Sequence, residues 1–148
     1  MKTINGILLG ISFLPLLLIG FSNIALGKAS SDPVAIKGYD TVAYFTMSKA
    51  IKGSENFTAQ WHSMTWYFST KENQELFAKS PEKYAPQYDG YCAWALTENR
   101  KAITDPEAWK IVDGKLYLNC SQAAYEKWIT DIPGHIKKAD ENWLKMQK

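Results

Sequence analysis

Cys92 and Cys120 are the two cysteines of this 148-residue chain. A thiolate is a soft ligand suited to Cu(I) and the strongest nucleophile among its side chains. His62 adds an imidazole and Met64, two positions on, a thioether, a pairing that copper accepts. The candidate metal ligands are therefore Cys92, Cys120, His62 and Met64, with copper as the expected ion. Each has a plainer reading. Cys92 lies in the apolar run Tyr91-Cys92-Ala93-Trp94-Ala95-Leu96, where a thiol serves as a small buried hydrophobe and its pKa rises. His62 falls in a short turn, where a histidine is commonly just exposed. The two cysteines can also pair, since an oxidising compartment permits a disulfide closing a loop of roughly 30 residues, for about 3–4 kcal/mol in the chain-entropy model. Such a bond removes both thiolates as ligands.

Other chemistry is poorly served. His135 has no second histidine at i+4 and no Cys-x-x-Cys nearby, so no zinc signature forms. Asp32, Asp40, Asp89, Asp105 and Asp113 each adjoin a Pro, Gly or Tyr at an apparent turn or cap, and none falls into calcium-loop spacing. There is no glycine-rich phosphate loop, no G-x-S-x-G elbow and no histidine close to Cys92 in sequence, so the chain reads as a non-enzyme. With 17 basic and 15 acidic residues the formal charge is +2, which gives no electrostatic footprint for nucleic acid. Lys137, Lys138, Lys145 and Lys148 are interrupted by Asp140 and Glu141 at helical spacing, as on a solvated helix face. Asn56-Phe57-Thr58 and Asn119-Cys120-Ser121 satisfy the glycosylation pattern, which matters where a host modifies such sites.

The elements that must position these side chains are legible as local signals. Asp40 can cap a short helical segment through Phe45, and Gly53 ends that region. Thr58 to Trp61 and Thr65 to Phe68 are aromatic and β-branched around the polar pair His62-Ser63, which predicts a hairpin. Ser69 with Glu72 fits a capping box for a helix ending near Lys79, and Ser80-Pro81 opens another turn. The apolar run around Cys92 predicts a strand buried on both faces. Asp105-Pro106 repeats the cap-plus-proline signal ahead of Trp109. Asp113-Gly114 between Ile111-Val112 and Leu116-Tyr117-Leu118 predicts a second hairpin. Ser121 can cap a helix carrying Ala124, Tyr125, Trp128 and Ile129. Ile132, Ile136, Ala139 and Trp143 define another, beginning near Pro133. Hairpins mixed with helices, without regular βαβ alternation or an internal repeat, predict an α+β fold: a small antiparallel sheet of hairpins with packed helices, in a single domain.

Lys2, the apolar stretch from Ile7 through Phe21 and the small-residue site Ala25-Leu26-Gly27 have the layout of a secretory signal peptide over residues 1–27. The domain then occupies residues 28–148, starting with a short Ser-rich linker, and the product is periplasmic or secreted with no membrane association after cleavage. A retained anchor is the rival reading, because a span needs ~20 apolar residues. Pro15, Gly20 and the A-x-G site favour cleavage.

The segments Lys37-Gly38-Tyr39-Asp40-Thr41-Val42-Ala43-Tyr44-Phe45, Trp61 with Trp66-Tyr67-Phe68-Ser69, Pro81-Glu82-Lys83-Tyr84-Ala85-Pro86-Gln87-Tyr88, Gly90-Tyr91-Cys92-Ala93, and Val112-Asp113-Gly114-Lys115-Leu116-Tyr117-Leu118-Asn119 follow one another along the chain. In that order they resemble the YHS-domain family in its exported, single-domain form. The resemblance covers nearly all of the chain after the leader. It implies a compact α+β domain and, as in some members, heavy-metal handling, with copper and a metal-transport protein as partners. Two departures stand out. Asp32-Pro33-Val34 runs into Ala35-Ile36 where metal-linked members carry Cys-Gly-Met, and Ser69 follows Phe68 where a cysteine often appears. The alternative is a structural, small-molecule-binding or partner-binding module with a Cys92–Cys120 disulfide, using the aromatic-rich surface.

Overall fold

The computed structural model describes residues 31–148, so the expected leader over 1–27 lies outside the described residues. Their first regular feature is the left-handed turn Ile36-Lys37-Gly38 (φ 39°, 54° and 79°). Helix α1 (Ala43–Thr46) follows, then strands β1 (Ser54–Trp61) and β2 (Met64–Phe68), helix α2 (Lys71–Lys79) and the single turn α3 (Pro81–Tyr84). A second left-handed turn, Tyr88-Asp89-Gly90 (φ 60°, 52° and 80°), leads into α4 (Ala93–Thr97). Strands β3 (Asp105–Val112) and β4 (Lys115–Asn119), helix α5 (Gln122–Trp128) and the long α6 (Ile132–Met146) complete the chain. The fold is α+β, as expected, but the hairpins do not merge. Among the described residues, β1–β2 and β3–β4 are two separate antiparallel sheets of two strands each.

The order of elements shows what the sequence reading missed: one unit occurs twice. Strand pairing shifts between Ser54 and Thr58 in the first hairpin and between Asp105 and Trp109 in the second. Ser54 opposes Phe68 as Asp105 opposes Asn119, and Trp61 opposes Met64 as Val112 opposes Lys115. These pairs lie at one constant spacing along the chain. Ahead of the hairpins the spacing is one residue longer, and there the parallel bridge Val34–Thr65 matches Pro86–Leu116. The amide of Asp40 donates to Ile51 (2.8 Å) as that of Cys92 donates to Ala102 (3.0 Å). The buried rings correspond as well: Trp66 lies 5.1 Å from Phe77 at 31°, and Tyr117 lies 5.3 Å from Trp128 at 34°. Sequence reading missed the repeat because few of the equivalent residues share a side chain.

Each unit buries its own core, one around Trp66, Phe68 and Phe77 and the other around Leu96, Tyr117 and Trp128. A third cluster of Tyr44, Leu116 and Leu118 lies where they meet, and there the Tyr44 hydroxyl donates to the Pro106 carbonyl at 2.8 Å. At ~1.5–3 kcal/mol for each fully buried large side chain, these rings supply the main driving force for folding.

Three local expectations are corrected. The run around Cys92 is the buried helix α4 rather than a strand, because Ala93, Ala95 and Leu96 are strong helix formers and all are fully buried. The cap of α2 is Thr70, whose side chain accepts from Asn73 N at 3.1 Å. Ser69 is drawn away by Asp40 instead, donating through its amide (2.7 Å) and its hydroxyl (2.6 Å). Asp105-Pro106 opens strand β3 rather than a helix. Asp105 Oδ1 accepts the Glu107 amide (2.9 Å) in a local turn, and proline is tolerated there because the ladder is interrupted at that point. Asp40, Ser121 and the Asp113-Gly114 turn behave as expected.

Candidate functional site

The four candidate ligands fall into two separate groups. Cys92 is the N-cap of α4, fully buried, with its Sγ accepting the Ala95 amide at 3.4 Å and the Cys120 amide at 2.9 Å. Cys120 follows the end of β4 and is partly exposed. It packs against the cluster of Cys92, Ala95 and Ala124. Both cysteines are free thiols. Burial pushes the Cys92 thiol up to about 12, and the neighbouring Cys120 thiol adds to the rise against the opposing pull of the two amides. Asn119, beside Cys120, is fully buried and accepts the Trp94 amide at 3.0 Å, so its glycosylation pattern is closed off in the fold.

His62 and Met64 instead line an open cleft of about 620 Å³, which Cys92 and Cys120 do not line. His62 occupies the first position of the β1–β2 turn with φ 51° and Ser63 the second with φ 56°, the two left-handed residues that a tight hairpin turn requires. Its ring stacks on Trp61 (3.6 Å between centroids, 10°), and its Nδ1 lies 3.5 Å from Asp89 Oδ1. Among the described residues no group of three or more His, Cys, Asp or Glu side chains could hold a metal ion. The quartet read from sequence therefore does not form one centre. Cys92 and Cys120 lie together, and His62 and Met64 belong to the cleft.

The cleft lies against both left-handed turns. Ile36 and Lys37 come from one, Asp89 and Gly90 from the other. The turns touch: a Cβ on Gly90 would sit 3.3 Å from Ile36 Cγ2. Pro33, Val34, Ala35, Met64, Ile103 and the Tyr91 ring add apolar surface, and Lys101, Thr104 and His62 add polar groups. Lys101 Nζ lies 5.1 Å from the Tyr91 ring centre and 5.0 Å from that of Trp143, within cation–π range of both. Sequence reading missed Lys101, Lys37 and Ile103. The one usable signal was the recurrence of Gly-Tyr at Gly38-Tyr39 and Gly90-Tyr91, which marks the two turns. His135 takes a structural place, with Nδ1 2.8 Å from the Trp128 carbonyl and its ring edge-on to Trp94. Trp66 and Trp128 are fully buried and no tryptophan lines the cleft, whose aromatic lining is Tyr91 beside His62.

No family model, no characterised protein and no solved structure matches this chain.

Proposed function

We propose that the chain is an exported, YHS-like accessory domain that carries a soft monovalent metal, Cu(I), on the Cys92–Cys120 thiol pair, for scavenging or for delivery to a metal-transport protein. The observation that carries the reading is the approach of the Cys120 amide to within 2.9 Å of Cys92 Sγ, which brings the two thiols to one place although they are far apart in sequence. Two thiolates satisfy Cu(I), which favours soft sulfur donors at low coordination number. Partly exposed Cys120 offers the route in, and buried Cys92 completes the site away from water. Both thiols must release their protons on binding, and the raised Cys92 pKa makes uptake stronger as pH rises. His62 and Met64 have no part in this site.

The same proximity favours a second reading, a structural disulfide formed in an oxidising compartment. One experiment separates the two. One sample of the exported protein is alkylated under denaturing conditions without reductant and weighed intact, and a second, unmodified and folded sample is titrated anaerobically with Cu(I) against a competing chelator. Two alkylated thiols and one tightly held Cu(I), lost in both Cys92→Ser and Cys120→Ser, support metal carriage. A chain lighter by two hydrogens with no alkylation supports the disulfide. Unchanged Cu(I) affinity in Cys92→Ser removes the ligand assignment.

A further inference from the structure

We propose that the cleft between the two left-handed turns is a binding site for a small organic anion with an apolar body, of the class of medium-chain carboxylates. The volume of about 620 Å³ falls within the roughly 300–1,000 Å³ of small-ligand sites. Its apolar surface is real and open to solvent: Ile103 is 75% exposed and Val34 43%. Exposed aliphatic side chains of this size, gathered in a concavity beside Met64 and Ile36, gain by being covered.

Charge decides the class of ligand. Lys37 and Lys101 line the cleft, and among the described residues neither has a carboxylate partner. Among the described residues of the lining the one carboxylate is Asp89, whose Oδ1 lies 3.5 Å from His62 Nδ1. Two lysines lining an apolar floor complement a carboxylate head on a hydrocarbon body. Lys101 is held in place by the faces of Tyr91 and Trp143, so less side-chain freedom is lost when it meets an anion. The backbone here is unusual too. Ile36, a β-branched residue, sits at φ 39° and Lys37 at φ 54°, a conformation such residues rarely adopt and one that clusters at ligand sites.

The test is calorimetric, with decanoate as the probe, decanol as its uncharged counterpart and acetate as the head group alone, below micellar concentration. Decanoate is expected to bind one to one, with decanol and acetate each at least about ten-fold weaker, since a charge-assisted contact and the apolar surface each contribute. Lys101→Gln and Lys37→Gln should each weaken decanoate about ten-fold and leave decanol unchanged. Ile103→Asp, at an exposed position that the fold does not depend on, should abolish decanoate binding while leaving the circular dichroism spectrum unaltered. Cys92→Ser and Cys120→Ser should bind decanoate as the parent does, so this site stands or falls apart from the thiol pair. Equal binding of decanol and decanoate, unchanged affinity in both lysine variants, or no binding of decanoate by the parent would each overturn the proposal.

Discussion

Cys92 stands in the second unit where Asp40 stands in the first. Asp40 Oδ1 accepts the amides of Val42 (2.9 Å) and Ala43 (3.3 Å) at the start of α1, and its Oδ2 accepts the Ser69 amide at the end of β2. Cys92 Sγ accepts the Ala95 amide in α4 and the Cys120 amide at the end of β4. In both units one buried acceptor ties the short helix to the end of the hairpin. The first unit makes the tie with a carboxyl group and a serine, the second with two thiols. The place thus has a structural role in both units, and in the second the thiols add a chemistry that the first-unit counterpart lacks.

That equivalence predicts the outcome of exchanging the pairs. Cys92→Asp alone puts a carboxylate where the second unit supplies two amides, with Ala124 in the place of the Asn73 that donates to Asp40 at 2.7 Å. Adding Cys120→Ser restores a hydroxyl donor. In a double-mutant cycle by urea unfolding, the two changes should couple favourably by ~1 kcal/mol, and zero coupling would mean that the resemblance of the two ties is only geometric.

Asp40 itself is fully buried and accepts from Val42, Ala43, Ser69 twice and Asn73. Removing the acceptor strands buried donors, so Asp40→Ala should cost about 3 kcal/mol or more. Asp40→Asn keeps one oxygen and should cost roughly half of that. A loss below ~1 kcal/mol in the alanine variant would show that water enters and replaces the carboxyl group.

Alkaline pH should weaken the fold. Burial holds the Cys92 thiol up at about 12 against an ordinary 9.0, and burial holds Tyr117 up at about 12 against 10.0, with nearby Asp140 adding to it. Tyr44 and Tyr88 are raised in the same direction, burial again first. Between the ordinary and the raised values the unfolded chain has released protons that the folded chain keeps. Stability is therefore full below pH 9 and falls as pH rises towards 12, by up to ~1.4 kcal/mol per pH unit for each group. Urea midpoints measured from about pH 8 to about pH 10.5 should decline, and Cys92→Ser should flatten the decline.

Two backbone positions should respond in opposite senses. A Cβ on Gly53 would fall 2.5 Å from the carbonyl carbon of Tyr67, so Gly53→Ala must push two strand-end segments apart and should cost ~2–3 kcal/mol. Ser63 occupies the second left-handed position of the first hairpin turn, where glycine carries no steric penalty, and Ser63→Gly should gain about 1 kcal/mol. Thermal melts of both variants check the pair, and a stabilised Gly53→Ala protein would contradict the close approach.

Much of the fold was legible because it depends on near neighbours in the chain. His62-Ser63 and Asp113-Gly114 announce hairpins through the backbone conformation that a two-residue turn demands, and Ser121 and Asp40 announce helix starts through donors one turn away. The α+β class follows from their sum. Where a signal had two readings, packing chose between them. Six apolar residues around Cys92 suit a buried strand or a buried helix, and burial within the second unit made them a helix. Ser69 and Thr70 are both able to cap α2, and Asp40, distant in sequence, claimed Ser69.

The sequence by itself determined which chemistries were on hand: two thiols, few histidines, a balanced charge and the turns that punctuate the chain. Only the tertiary structure decided which of them meet. Cys92 and Cys120 come together because equivalent ends of a repeated unit do, while His62 and Met64 go to a cleft with Lys101 and Ile103. Beyond the recurring Gly-Tyr pair at the two turns, neither the repeat nor the cleft has a local signature, because the equivalent segments differ in their side chains while their backbone hydrogen bonds are the same.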